Sequence, residues 1–179
     1  MEEVINMLLE KLKGLRWFII SGFAVEIYTH GKRKSGDIDL AVHEEDLEEF
    51  SKRVGTNIKE RNFKKEGYSV QDLAIEFKKN GKEIEVTGGY PRKRVIEGTF
   101  NKLFNKKIKM RYENCDLWVC PIEELMVLKA SLGREKDFND LELLKDLTYR
   151  PELIKEIAKD CGVEEKVLDI LKKLNYMKI

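Results

Sequence analysis

Arg16-Trp17-Phe18-Ile19-Ile20-Ser21-Gly22 and, one short helix later, Asp37-Ile38-Asp39-Leu40-Ala41-Val42 are the two runs on which the fold turns. The first is aromatic and branched, the signature of a buried strand, and it breaks at Ser21-Gly22. Between the runs, Ala24, Val25, Ile27 and Tyr28 repeat at three-to-four spacing and His30-Gly31 supplies a C-terminal stop, so a helix is expected there. Residues 32–36 then form a loop. Side chains alternate along a strand, so the second run carries Asp37 and Asp39 on one face and Ile38 and Leu40 on the other.

Working outward, Glu2 to Lys13 reads as an amphipathic helix ended by Gly14, and Glu44 to Val54 as a charged surface helix. Asn80-Gly81 between two alternating runs predicts a tight hairpin over Asp72 to Thr87. A two-residue turn sets its register: Lys79 opposite Lys82, Phe77 opposite Ile84, Glu76 opposite Glu85 and Ile75 opposite Val86. Like charges facing each other destabilise a sheet, so the Glu76–Glu85 pair calls for a nearby cation or a side chain bent to solvent. Lys107 to Tyr112 and Leu117 to Cys120 read as a further hairpin. Pro121 suits a helix start, and helices are expected from there to Gly133, over Lys136 to Leu147, Pro151 to Lys159 and Val163 to Leu174. This order predicts an α+β, mixed α/β fold, in which helices flank a mixed, twisted sheet. Residues 1–120 are expected to form the core and 121–179 a helical region packed on it.

The chain has 179 residues, enough for a sizeable core, and 34 Lys and Arg balance 33 Asp and Glu, so net charge names no partner. Cys115, Cys120 and Cys161 match neither a disulfide framework nor paired zinc knuckles, which favours buried thiols in a reducing compartment. The acidic N-terminus and the lack of any long apolar run point to a cytoplasmic protein without a membrane span. A single Gln and heavy Lys and Glu usage resemble thermophile composition.

The same two runs carry chemistry. A strand that stops at Ser21-Gly22 and turns into a helix presents backbone N–H groups to a phosphate, and glycine permits close approach. Asp37 and Asp39 repel one another unless a hard divalent cation such as Mg²⁺ sits between them. Two such metals can polarise a phosphoryl centre. Arg33 and Lys34 could meet triphosphate charge. Either Glu76 or Glu85 could complete the set as metal ligand or general base, and Glu85, on the more regular strand, is preferred. Each part has a plainer reading: Asp-x-Asp occurs by chance, and Ser is a favoured helix N-cap. Lys129 lies on the apolar stripe of its helix, where it either snorkels or points into the cleft. Asp137 and Asp140 are read equally as helix-start charges or as functional groups. His30 and His43 are given no catalytic role, and Cys115 and Cys120 are read as packing.

The run from Trp17 to Glu26, with Gly31, Arg33, Ser35 and Asp37-Ile38-Asp39-Leu40-Ala41-Val42, resembles the signature of the polymerase-β-type nucleotidyltransferase superfamily. It is closest to the branch of aminoglycoside and lincosamide nucleotidyltransferases and AbiEii-type toxins. The likeness extends more faintly to Pro121-Ile122-Glu123-Glu124-Leu125, Lys129, Lys136-Asp137 and Asp140-Leu141. It implies that Ser21 and Gly22 bind nucleotide phosphates, that Asp37 and Asp39 hold Mg²⁺ and that Glu85 is the third carboxylate. Arg33 and Lys129 would join in holding the triphosphate. The turn here is Ser-Gly where that family has Gly-Ser or Gly-Gly, and the third acid is Glu where Asp is frequent.

The expected activity is transfer of a nucleoside monophosphate from an NTP to a hydroxyl of a small molecule, RNA or protein, with release of pyrophosphate. Residues 92–111 hold eight basic residues and one acid, with Phe100 and Phe104 among them, a mixture suited to RNA. The plainer reading pairs these cations with the acidic helix Glu44 to Glu49. Two other classes stand beside the enzyme: a catalytically silent nucleotide-binding module, such as one half of a toxin–antitoxin pair, and a metal-dependent phosphohydrolase.

Overall fold

The computed structural model describes residues 1–65, 68–88 and 106–176. Its strands are β1 (Trp17–Ile19), β2 (Asp37–Val42), β3 (Lys59–Lys65), β4 (Tyr68–Lys79), β5 (Lys82–Gly88), β6 (Ile108–Tyr112) and β7 (Cys115–Val119). Its helices are α1 (Glu2–Lys11), α2 (Ser21–Tyr28), α3 (Glu44–Val54), α4 (Ile122–Leu132), α5 (Glu135–Leu144), α6 (Pro151–Asp160) and α7 (Glu164–Lys173). The strands make one seven-stranded sheet in the order β3-β4-β5-β2-β1-β7-β6, an α+β fold as the element pattern predicts. The sheet is mixed: β2 runs parallel to β5 and β1 to β7, while the remaining neighbours are antiparallel.

Alternation along β2 and β5 divides the sheet into two chemically different faces. Ile38 and Leu40 of β2 lie beside Ile84 and Val86 of β5, and all four are fully buried. They meet Ile5 and Leu8 from α1, Leu12 just after it and Phe23 from α2 in one continuous core. The opposite face carries the carboxylates of Asp37, Asp39, Glu83 and Glu85. The hydrophobic pattern thus decides which residues are left to do chemistry: every side chain that cannot enter the core is turned to the other side.

Gly88 shows how tightly α3 closes on the core face. A Cβ at this position would lie 2.3 Å from both methyl carbons of Leu47, a buried residue of α3. Gly88→Ala is therefore expected to cost about 1 to 3 kcal/mol, because Leu47 must leave its rotamer or α3 must lift. Urea denaturation checks this, and an unchanged midpoint would contradict the packing.

The predicted hairpin register is met pair by pair, with Lys79 facing Lys82, Glu76 facing Glu85 and Ile75 facing Val86. The cation that this arrangement calls for is Lys59, whose Nζ lies 3.1 Å from Glu76 Oε2. Lys59 opens β3, an edge strand absent from the sequence-based expectation. Its Lys59-Glu60-Arg61-Asn62 start has no apolar alternation, and edge strands often carry charge that discourages pairing with other chains. The second hairpin turns at Glu113-Asn114, so β7 starts at Cys115 rather than Leu117. Cys115 and Cys120 are buried thiols, as expected of packing residues. Among the described residues no helix is long and apolar enough to cross a membrane.

Candidate active site

Asp37 and Asp39 stand on β2 directly beside Glu83 and Glu85 of β5, and Glu85 in turn faces Glu76 of β4. Asp39, Glu85 and Glu76 thus form one row across three adjacent strands. A cleft of about 370 Å³ opens over them, bordered also by Asp37, Lys78 and Glu83. Two cations trim the rim, since Lys78 Nζ pairs with Glu83 at 2.6 Å and Lys59 pairs with Glu76. Glu85 is half-buried and Glu76 exposed.

Asp39 is the most perturbed carboxylate of the row. Burial pushes it up to about 6, reinforced by the like charges of Asp37 and Glu85 and opposed by a hydrogen bond from the Ser21 side chain and by Lys129. Ser21 sits in the left-handed region with φ of 57°, where glycine is the usual residue. Its hydroxyl, which a glycine would lack, is the group that reaches Asp39. The Ser-Gly order therefore ties the strand-to-helix turn to the acidic row through a side chain.

Asp37 is held from the loop before it. Ser35 Oγ donates to Asp37 Oδ1 at 2.8 Å, and Ser35 itself is nearly inaccessible. Its backbone N–H donates to Glu26 Oε2 at 2.6 Å, while its carbonyl accepts from Lys82 Nζ at 2.8 Å. Glu26 is buried on α2 and accepts a further hydrogen bond from Tyr112 at 2.5 Å and an ion pair from Lys34 at 3.3 Å. Burial alone would raise its pKa, but these donors outweigh it and hold the carboxyl below its ordinary range. Sequence reasoning assigned no role to Glu26 or Ser35. One signal was present, a lone acid inside the apolar run Phe23-Ala24-Val25-Glu26-Ile27-Tyr28.

The groups expected to meet a triphosphate divide. Arg33 lies across the start of α2: its Nη1 donates to the Gly22 carbonyl at 3.2 Å, and a Cβ on Gly22 would stand 2.9 Å from both terminal guanidinium nitrogens. Gly22 is thus the seat of a cation as well as a turn residue. Lys34 points elsewhere, mostly exposed and paired with Glu26. Lys129 is 1% exposed and neither snorkels nor stands free in the cleft; it bridges Asp137 at 3.1 Å and Asp140 at 2.6 Å. Asp140 also binds Arg33 Nε, and Asp137 binds Arg134 Nε at 2.6 Å. For Asp137, burial acts to raise the pKa, but Arg134 and Lys129 hold it below the usual range. Asp137 Oδ2 also accepts from the Arg134 backbone N–H at 3.2 Å at the start of α5, so it serves as helix-start charge and network member together.

Among the described residues no three His, Cys, Asp or Glu side chains converge to hold a metal ion. The donor chemistry of the row nevertheless suits a hard divalent cation: Asp37, Asp39 and Glu85 offer only carboxylate oxygens, and Asp39 bears the electrostatic cost of their proximity. Residues 92–105 of the basic run lie outside the described residues. Of its remainder, Lys109 and Arg111 pair with Asp116, and Lys107 lies 5.0 Å from the Trp118 ring centre. None of these three pairings involves the acidic helix α3.

No family model matches the sequence, and no curated protein matches it. Solved structures do match its fold. A nucleotidyltransferase candidate from Thermotoga maritima aligns with a TM-score of 0.59 at 21% identity over 78% of this chain and 89% of its own. An antigenic nucleotidyltransferase-like protein from Paracoccidioides brasiliensis aligns at 0.57 and 15% identity, over 99% of this chain and 88% of its own. The enzyme ANT(2'')-Ia, solved in complex with adenylyl-2''-tobramycin, aligns at 0.50 and 14% identity over 97% of this chain and 95% of its own. The chain has the nucleotidyltransferase fold.

Proposed function

We propose that this protein transfers a nucleoside monophosphate from an NTP to an acceptor hydroxyl and releases pyrophosphate, with Mg²⁺ bound at Asp37, Asp39 and Glu85. The observation that carries this reading is that these three carboxylates stand on neighbouring strands, with Asp39 hydrogen-bonded by Ser21 at a helix start over which Arg33 is seated. The bound cation would supply charge neutralisation at the phosphates and lower the barrier to phosphoryl transfer. Ser21 and Gly22, at the N-terminus of α2, present donors to the phosphate oxygens, and Arg33 opposes the charge that develops as pyrophosphate departs. The Glu85 carboxylate takes the proton of the attacking hydroxyl, and Ser35 holds the Asp37 carboxylate through its hydroxyl. The acceptor oxygen forms a bond to the α-phosphorus as the bond from that phosphorus to the bridging oxygen breaks. Most of the acceleration comes from alignment and from preorganised charge.

The acceptor is a hydroxyl compound, either a small molecule or an RNA reached through residues 92–111. Incubation with each α-labelled NTP and Mg²⁺, against total RNA and a panel of hydroxylated small molecules, tests the reading. Labelled acceptor and stoichiometric pyrophosphate are expected. Release of orthophosphate would identify a hydrolase instead, and nucleotide binding with no turnover a silent module.

A further inference from the structure

Arg33, Asp140, Lys129, Asp137 and Arg134 form an unbroken chain of ion pairs that begins at the start of α2 and ends at the start of α5. Its middle is dry, since the Lys129, Asp137 and Asp140 side chains are each 3% exposed or less. Its end at Arg33 is not: that side chain is 22% exposed and rests on Gly22. Of its two arginine ends, the Arg33 end abuts Ser21 and Gly22, beside the acidic row.

We propose that Asp140 is a positioning residue for nucleotide binding: it holds the Arg33 guanidinium over Gly22 for the triphosphate, and Lys129 with Asp137 holds Asp140 in place. The inference rests on the reading of Arg33 as a triphosphate ligand. It assigns Lys129 a role different from the one expected of it, because both of its carboxylate partners lie within the protein and it acts on the nucleotide through Arg33. An arginine on a long flexible stem would otherwise lose rotamer freedom when it binds phosphate, and a partner that restrains it beforehand removes part of that cost. Gly22 completes the seat from the other side. The helices after residue 121 thereby contribute to the nucleotide site through the ion-pair chain.

The test is a double-mutant cycle on the full-length protein, with two readouts. The first is calorimetric binding of inorganic tripolyphosphate and of ATP with Mg²⁺. Asp140→Ala is expected to weaken both about 10-fold, and Arg33→Gln somewhat more. The double variant is expected to match Arg33→Gln alone, since Asp140 acts only through Arg33. Additive losses would overturn the proposal. The second readout is the ¹⁵N–¹H signal of Arg33 Nε, assigned by its absence in Arg33→Gln and independent of any nucleotide. It is expected to exchange slowly with solvent in the wild type and at least 10-fold faster in Asp140→Ala. An unchanged exchange rate would refute the positioning role even if no polyphosphate binds, whereas slow exchange without polyphosphate binding would refute the functional reading and leave the Asp140–Arg33 link standing. Should Asp140→Ala not fold, Asp140→Asn takes its place: it keeps the side-chain volume and removes the charge that holds Arg33 Nε, with the same loss of affinity and the same faster exchange expected. Full affinity and unchanged exchange in Asp140→Asn would overturn the proposal.

Discussion

Asp39→Asn is expected to abolish nucleotidyl transfer, by 10³-fold or more, and at the same time to make the metal-free protein more stable at neutral pH. Both effects come from one cause. In the folded protein burial and the charges of Asp37 and Glu85 raise the Asp39 carboxyl to about 6, against about 4 in an unfolded chain. Between these values the folded state holds a proton that the unfolded state has released, so stability falls as pH rises through this window. Above pH 6 the full cost is present, about 2 to 3 kcal/mol for a shift of this size. Asparagine keeps the shape and the acceptor for Ser21 but carries no charge, so it recovers much of that energy above pH 6 and little near pH 4. Urea denaturation of wild type and variant at pH 4 and pH 7.5, without divalent cations, measures the difference. A variant that is less stable at both pH values would show that the row is not electrostatically strained. One that still labels an acceptor at the wild-type rate would remove Asp39 from the chemistry.

Lys129→Met gives the second large effect, here on folding. Removing one member of a buried ion pair leaves its partners desolvated without compensation, typically at a cost of 3 to 5 kcal/mol. Asp137 and Asp140 keep Arg134 and Arg33, so the low end of that range, about 3 kcal/mol, is expected. The pH dependence has the opposite sign from that of Asp39. Asp137 is held below its ordinary range in the wild type, so its pairing contributes stability above about pH 4 that is lost as the carboxyl protonates. The gap between wild type and Lys129→Met should therefore narrow as pH falls below about 4. A loss under about 1 kcal/mol at pH 7 would mean that Lys129 is solvated and free to reach a ligand.

The legibility of the site in the sequence varied with the kind of information each residue carries. Asp37 and Asp39 could be placed on one face of their strand, and Glu85 opposite Glu76, because a strand has a two-residue period and Asn80-Gly81 sets a register. Those are local rules, and β4 and β5 obey them pair by pair. The parallel pairing of β2 with β5, which brings Asp39 beside Glu85, depends on a connection of 39 residues and cannot be derived from either strand alone. The polar supports of the site were the least visible. Glu26 stands out as a lone acid in an apolar run, but Ser35, Tyr112 and Lys82 are each ordinary in their own neighbourhood. They become a unit only when the loop of residues 32–36 lies against α2 and β6.

Lys129 marks the same division. Its place on an apolar helix stripe gave two readings, an ammonium group that snorkels to solvent or one that points into the cleft, because helical periodicity fixes the face. The structure shows neither: the group is buried against Asp137 and Asp140, partners brought from α5 eight and eleven residues further on. By itself the sequence determined most of the elements, though not the edge strand β3, together with the register of the central hairpin and the alternation that turns the carboxylates away from the core, all consequences of short-range backbone geometry. Only the tertiary structure decided which charges are neutralised and which remain to act, because a charge in a folded protein is defined by the burial and partners that distant segments bring to it.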